Sequence, residues 1–155
     1  MNEYLVVKWL HVLSSTILFG TGIGSAFYMF FASLERDPRT VYFVTRWVVI
    51  ADWVFTTTAI IVQPLTGLWL AHLAGFPLTS TWILWSIVLY FFAGACWLPV
   101  VWLQLRMREM ARIAVEAGTP LPPRYQAFFR IWVALGIPAF FALVVVFYLM
   151  VAKPA

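Results

Sequence analysis

Four long apolar segments alternate with short polar links along the chain. The segments cover about residues 4–32, 41–73, 81–112 and 125–152. Each is longer than the ~20 residues that span a bilayer core, and the ~10-residue alternating units of a transmembrane β-barrel are missing. Because backbone groups in lipid must bond within their own segment, each segment is predicted to be a helix. The pattern therefore predicts an all-α, polytopic membrane protein: one four-helix transmembrane domain over residues 1–155.

One face of the first segment is small and hydroxylated rather than oily. Taking about 100° per residue, several positions lie within about 60° of His11, namely Ser14, Ser15, Leu18, Gly22, Ser25 and Met29. Small residues let helix backbones approach closely where lipid supplies no hydrophobic drive for association. We expect this helix to form an inner wall of the bundle, with His11 pointing inward.

The second segment carries a polar line of its own. Thr56, Gln63 and Thr66 lie within about 40° of Asp52 on a straight helix. A carboxylate without a partner is expensive in lipid, so Asp52 is expected to pair with Arg46 or Arg130, or to take up a proton. A structural ion pair and a proton relay are both consistent with this pattern.

Two further features shape the second and third segments. Pro64 should free the carbonyl of Ile60 and bend its helix. On the third segment one face carries Tyr90, Gly94, Trp97 and Gln104. Gly94 could admit a flat ring against the backbone or a neighbouring helix.

The only two histidines fall near the same ends of the first two segments. Since these helices run in opposite directions, His11 and His72 are expected at a similar depth, which is what a haem or metal site between helices needs. Imidazole is a common ligand of haem iron and of metals in general. On a straight helix, however, His72 points about 160° away from Asp52, so an interfacial histidine without a ligand is the alternative. The residues predicted to bind the cofactor are His11, His72, Ser15, Gly22, Tyr90 and Gly94, with both histidines as candidate iron ligands.

Composition excludes a soluble globule. Hydrophobic residues make up 64% and charged residues 10% of the chain, and the mean hydropathy is +0.93; a soluble domain has roughly 25% charged residues. The net charge of +4 does not indicate nucleic acid, because no basic stripe with interleaved aromatics occurs on a polar surface.

The basic residues predict the orientation. Eight arginines fall at one membrane face, whereas Lys8 and Lys153 fall at the other. Basic residues are enriched on the cytoplasmic side, so links 33–40 and 106–127 are expected in the cytoplasm. Both termini would then lie outside, which is the periplasm for a bacterial inner membrane. Tryptophans near the ends of the segments, Trp132 among them, are expected to be interfacial anchors.

Two stretches carry a resemblance to known membrane proteins. At KWLHVLSSTILFGTGIG and at QPLTGLWLAH the chain resembles a bacterial family of predicted four-helix membrane proteins of unknown function. In broader pattern it is similar to membrane protoporphyrinogen oxidases that bind haem b and to copper-resistance D-type membrane proteins. The resemblance implies that His11 occupies a ligand position. It implies no particular reaction, since those oxidases also need a lysine in a later helix and the third segment here has none.

Several functions are consistent with these features. The first is a haem-b-binding protein, with a possible activity as a haem-dependent oxidoreductase, that handles electrons near the periplasmic face and meets a quinone, a porphyrin or a small oxidant. The second is a non-enzymatic accessory or assembly protein that forms a homo-oligomer through its small-residue faces. The third is transport of a metal ion or small solute past Asp52 and Gln63.

Overall fold

The computed structural model describes residues 2–154 and contains four helices long and apolar enough to cross a membrane. No strand occurs within those residues. The helices are α1 (Glu3–Glu35), α2 (Pro38–Ala51), a π-helical turn (Asp52–Thr56), α3 (Thr57–Leu73), α4 (Thr81–Ala117) and α5 (Pro123–Ala152). The stretch from α2 to α3 forms one continuous second span. The predicted all-α, four-helix membrane fold is confirmed; Met1 and Ala155 lie outside the described residues.

Local capping sets the helix boundaries on either side of the charged links. Asp37 precedes α2, and its side chain accepts hydrogen bonds from the hydroxyl and the backbone N–H of Thr40, which lowers the pKa of the Asp37 carboxyl. Pro38 follows at the first helical position, where its missing N–H costs nothing. At the other link, Gly118 ends α4 in the left-handed conformation with φ 65°, which glycine adopts without strain.

The bundle has two distinct ends. The arginine end holds the links that follow Glu35 and Ala117. The termini end holds the start of α1, the end of α5 and the link 74–80: the Lys153 ammonium lies 4.9 Å from the Phe76 ring centre, and Trp69 Nε1 donates to Glu3 Oε1 at 3.1 Å. The charge asymmetry is therefore built into the fold, while the side of the membrane that each end faces stays a prediction.

A hydrophobic cluster closes the arginine end. It is formed by side chains from every span: Met29, Val41, Val48, Val100, Leu103, Met107, Ala111, Tyr125, Phe129 and Trp132. Within it, the Tyr125 hydroxyl and Ser33 Oγ share a hydrogen bond of 2.7 Å, which ties α5 to α1. This end of the bundle is consequently well packed.

The second span changes its packing partner at the π-helical turn. Its first part, α2, packs against both α1 and α4, whereas α3 packs against α1 and has no extensive backbone contact with α4. In the turn the N–H of Thr57 donates to the carbonyl of Asp52, the i+5 spacing that defines a π-helix. Because α3 leaves α4 here, the bundle opens towards the termini end.

One hydrogen bond bridges the gap between α3 and α4. Pro64 has no N–H and so leaves the carbonyl of Ile60 without its intrahelical donor. The hydroxyl of Tyr90 on α4 donates to that carbonyl at 2.6 Å. The carbonyl that Pro64 leaves without an intrahelical donor thus receives its hydrogen bond from another helix.

Replacing Tyr90 by Phe should lower the free energy of unfolding by about 1 kcal/mol, because the Ile60 carbonyl then lacks a donor inside the membrane. Pro64→Ala restores the intrahelical donor to the Ile60 carbonyl. In that background, Tyr90→Phe should therefore lower the free energy of unfolding much less. Unfolding of the purified protein in mixed detergent and dodecyl sulfate measures all four variants of this cycle. An equal cost in both backgrounds would contradict the pairing.

Candidate functional site

The space between the splayed helices is a cavity of about 590 Å³. It is lined by α1, the second span, α4 and α5, and its walls are almost wholly apolar. The residues lining it from α4 include Tyr90, Gly94, Trp97 and Gln104, the four that the sequence places on one helix face. Its size falls in the ~300–1,000 Å³ range of small-molecule sites.

Glycines widen the cavity instead of joining helices. A Cβ atom added to Gly22, Gly94 or Gly136 would meet no neighbouring atom within 4 Å, and all three residues line the cavity. The expectation that the small face of α1 lets a neighbouring backbone approach closely is therefore wrong at Gly22. The missing side chains leave room against three of the surrounding helix backbones.

Among the residues that the structure describes, Asp52 is the only charged one that lines the cavity. It is 5% exposed, and its carboxyl accepts a hydrogen bond of 2.8 Å from Thr56 Oγ1. The amide of Gln104 lies within hydrogen-bonding reach of the same carboxyl. Arg46 and Arg130 are both exposed, and no cationic side chain in residues 2–154 forms an ion pair with Asp52. The structure does not bring the predicted ion-pair partners together.

Two buried polar atoms at this site lack a protein partner. Gln104 is 3% exposed and Trp132 is 7% exposed, and both line the cavity. Within the described chain, neither Gln104 Oε1 nor Trp132 Nε1 has a hydrogen-bond partner. Native proteins leave few such atoms; both atoms are covered by protein and are not exposed in the cavity wall.

His11 lies outside the cavity, at the contact between α1 and α3. Its Nδ1 is 2.8 Å from Thr66 Oγ1, and its Nε2 is 3.2 Å from Gln63 Nε2. Its ring packs against the backbone of Gly67, where an added Cβ would lie 3.1 Å from Cε1. The inward orientation of His11 is confirmed, but its neighbours are those of a helix–helix contact.

The hydrogen bonds around His11 form one directional chain. Ser14 Oγ donates to Gln63 Oε1, Gln63 Nε2 donates to His11 Nε2, and the Thr66 hydroxyl donates to the Val62 carbonyl. Every donor is used if His11 is neutral with its proton on Nδ1, donating to Thr66. Both ring nitrogens are then engaged, so neither is free to bind iron while the chain is intact.

The two histidines do not converge on a shared site. Thr66 marks the level of His11, and His72 follows it on α3 about 9 Å further along the helix axis. His72 is exposed and does not line the cavity. The expectation of a similar depth is therefore not met.

The remaining predicted site residues divide between these two regions. Gly22, Tyr90 and Gly94 line the cavity, whereas Ser15 Oγ donates to the Val12 carbonyl of its own helix. Trp132, which the sequence analysis treats as an interfacial anchor, also lines the cavity. Helical spacing along the apolar α5 gave no sign of this position. Among the described residues, no group of three or more His, Cys, Asp or Glu side chains could hold a metal ion.

Fold and composition define a polytopic α-helical membrane protein. The family described as "Predicted integral membrane protein (DUF2269)" matches residues 5–154, so the chain belongs to this family, whose function is unknown. No curated protein and no solved structure gives a significant match. Similarity to haem oxidases and to copper-resistance proteins stays a prediction.

Alanine substitutions at Gly67 and Gly20 compare a glycine that contacts His11 with a glycine that has no neighbour. Gly20 has no neighbour at its Cβ position, so Gly20→Ala should be neutral or stabilising by up to about 1 kcal/mol. Gly67→Ala should be destabilising relative to it, because His11 is held by its hydrogen bonds and cannot move aside freely. In a His11→Ala background this difference should disappear; if it persists in unfolding measurements, the ring is not the cause.

Proposed function

We propose that this protein binds a lipid-soluble small molecule in the cavity between its four spans. The molecule would exchange laterally with the bilayer and would place a polar head group beside Asp52. The single observation that carries the proposal is an apolar cavity of about 590 Å³ with the buried carboxyl of Asp52 in its wall.

The arrangement of α1 and α5 supports access from the lipid phase. Their backbones make no extensive contact, and towards the termini end they meet through aromatic rings, such as Phe19 and Phe140 with centres 5.5 Å apart. Exposed side chains on both helices, including Phe27 and Phe141, also line the cavity. Rings can change rotamer without moving a helix, so an apolar molecule could pass between them.

The polar groups support a ligand that is not purely apolar. Asp52 is buried and has no ion-pair partner among residues 2–154, and a carboxyl without such a partner is costly inside a membrane. A ligand that forms a hydrogen bond with this carboxyl gains energy in addition to contact with the apolar walls. A plain acyl chain would fill the volume and form no such bond.

Filling the cavity should remove this binding without unfolding the protein. Gly22→Leu and Gly94→Leu place side chains into the cavity, where no atom stands in the way of the new Cβ. Gly20→Leu is the matched control, since Gly20 lies on the same helix with equal space but does not line the cavity. We expect small molecules that co-purify with the wild type to be retained by the control and reduced at least fivefold in the other two.

Native mass spectrometry of protein released from nanodiscs, with solvent extraction of the bound fraction, measures this occupancy. Circular dichroism of each variant checks that the helices form. Equal occupancy in Gly20→Leu and Gly94→Leu would sink the proposal, as would a wild type that carries nothing and takes up no lipid-soluble compound.

Haem b with His11 as axial ligand makes a different prediction. Iron binding at His11 Nε2 would require the hydrogen bond from Gln63 Nε2 to break, because that bond uses the Nε2 lone pair. We expect protein purified from haem-replete cells to show no Soret band that shifts on dithionite reduction. A Soret band kept in His72→Ala and lost in His11→Ala would favour the haem function over the one proposed here.

A further inference from the structure

We infer that the protein has a second ligand site, a lipid-facing groove between the second span and α4 that binds an anionic phospholipid. The phosphate of the lipid pairs with Arg106 at the arginine end of the groove, and an acyl chain lies along the groove itself. The inference does not depend on the proposed function, because the groove shares with the cavity only the side chains of Asp52, Trp97 and Gln104.

The groove has a volume of about 280 Å³ and almost wholly apolar walls. Trp53 on the second span and Leu98 and Trp102 on α4 line it, and each of these side chains is more than half exposed. Along α4 the groove extends for about 10 Å, from Leu98 to Leu105. Its length and its apolar walls suit part of an acyl chain.

The arginine end of the groove lies at the level of the lipid head groups. From its start at Thr81, α4 rises about 32 Å to Trp102, close to the roughly 30 Å thickness of a hydrocarbon core. Trp102 is thus at the interface, where tryptophan is enriched. Arg106 follows one turn further on, and its guanidinium carbon lies 5.7 Å from the centre of the Trp102 ring. A lipid phosphate at this level is therefore close to Arg106.

Helical spacing brings two more arginines to the same end of the groove. On α2, Arg46 comes three residues before Val49, which lines the groove. On α4, Arg108 comes three residues after Leu105, which also lines it. Residues three apart share a helix face, so both walls of the groove continue into a cation at the arginine end.

These three arginines have no counterion within residues 2–154. On α4, both carboxylate oxygens of Glu109 accept hydrogen bonds from Arg112, and Arg112 also pairs with Glu116. The guanidinium of Arg106 lies over a ring, and a stacked guanidinium keeps its in-plane N–H donors for a phosphate. The mouth of the groove is consequently a positively charged site with free donors.

Charge and shape together favour a phospholipid over other occupants. A soluble anion would pair with the arginines and leave the apolar groove empty, whereas a lipid without net charge would leave the arginines without a counterion. An anionic phospholipid joins a phosphate at the interface to an acyl chain at the depth of the groove. Each arginine near a membrane surface strengthens the attraction of an anionic lipid about fivefold.

Nanodiscs made of equal amounts of phosphatidylglycerol and phosphatidylcholine with the same acyl chains test this site. Native mass spectrometry of the released protein measures which lipid stays bound. We expect phosphatidylglycerol to be enriched at least about fivefold over phosphatidylcholine. A large excess of glycerol phosphate should not displace it, because that anion has no acyl chain to occupy the groove.

Charge variants assign the enrichment to the groove. Arg106→Gln and Arg46→Gln should each lower it to within about twofold. Arg130→Gln is the matched control, since it removes one cation from the same end of the bundle. Arg130 is on α5, and none of the described residues of α5 lines the groove, so the enrichment should be retained.

A groove-filling variant tests the acyl chain separately from the charge. Val101→Trp places a larger side chain in the groove and should reduce the bound phosphatidylglycerol although every arginine is kept. Val88→Trp is its control, because Val88 is an exposed residue of the same helix outside the groove.

Four outcomes would overturn the inference. Equal losses in Arg130→Gln and Arg106→Gln would assign the enrichment to the overall charge of the arginine end. Displacement by glycerol phosphate would show that the groove is not needed. A wild-type dimer that Val101→Trp dissociates would place a second copy of the chain in the groove. Loss of the enrichment in Gly94→Leu would place the lipid in the cavity, and that result would support the proposed function instead.

Discussion

The absence of water from the lipid core is the constraint on which this structure depends. Each polar group inside the bundle must find a partner in the protein or in a bound molecule. The fold meets this demand by pairing groups across helices: Gln63 with His11, and Tyr90 with the Ile60 carbonyl. Both pairings occur where α3 needs an attachment, once to α1 and once to α4. Hydrogen bonds between polar groups hold these helices together inside the membrane, as hydrophobic burial does in water.

The π-helical turn explains why there is a cavity to bind anything. The second span is held between α1 and α4 up to Ala51, and beyond the turn it stays with α1 while α4 remains paired with α5. The bundle is therefore closed by its cluster at the arginine end and open towards the termini. Asp52 begins the turn, so this buried carboxyl in the cavity wall lies where the helices diverge. Because π-helical turns are frequent at functional sites, the coincidence is consistent with a binding role.

Much of the fold follows from the sequence, and the site follows only in part. Segment lengths, the proline at position 38 and the glycine at 118 predict the spans and their ends, because these depend on local chemistry. The shared face of Tyr90, Gly94, Trp97 and Gln104 is likewise predictable from helical spacing. The π-helical turn is not, since no local signal distinguishes DWVFT from an ordinary helical turn. Without the turn, the separation of α3 from α4 and the cavity between them cannot be foreseen.

His11 illustrates how a candidate site should be judged inside a membrane. By residue type it is the most reactive group in the bundle, and an intramembrane ionisable residue is a functional hypothesis by default. Yet all its hydrogen-bonding capacity is consumed between α1 and α3. A ligand that bound to His11 would have to break those hydrogen bonds, whereas a ligand in the cavity would break no contact between helices. Available space is therefore a better guide to a candidate site here than chemical reactivity is.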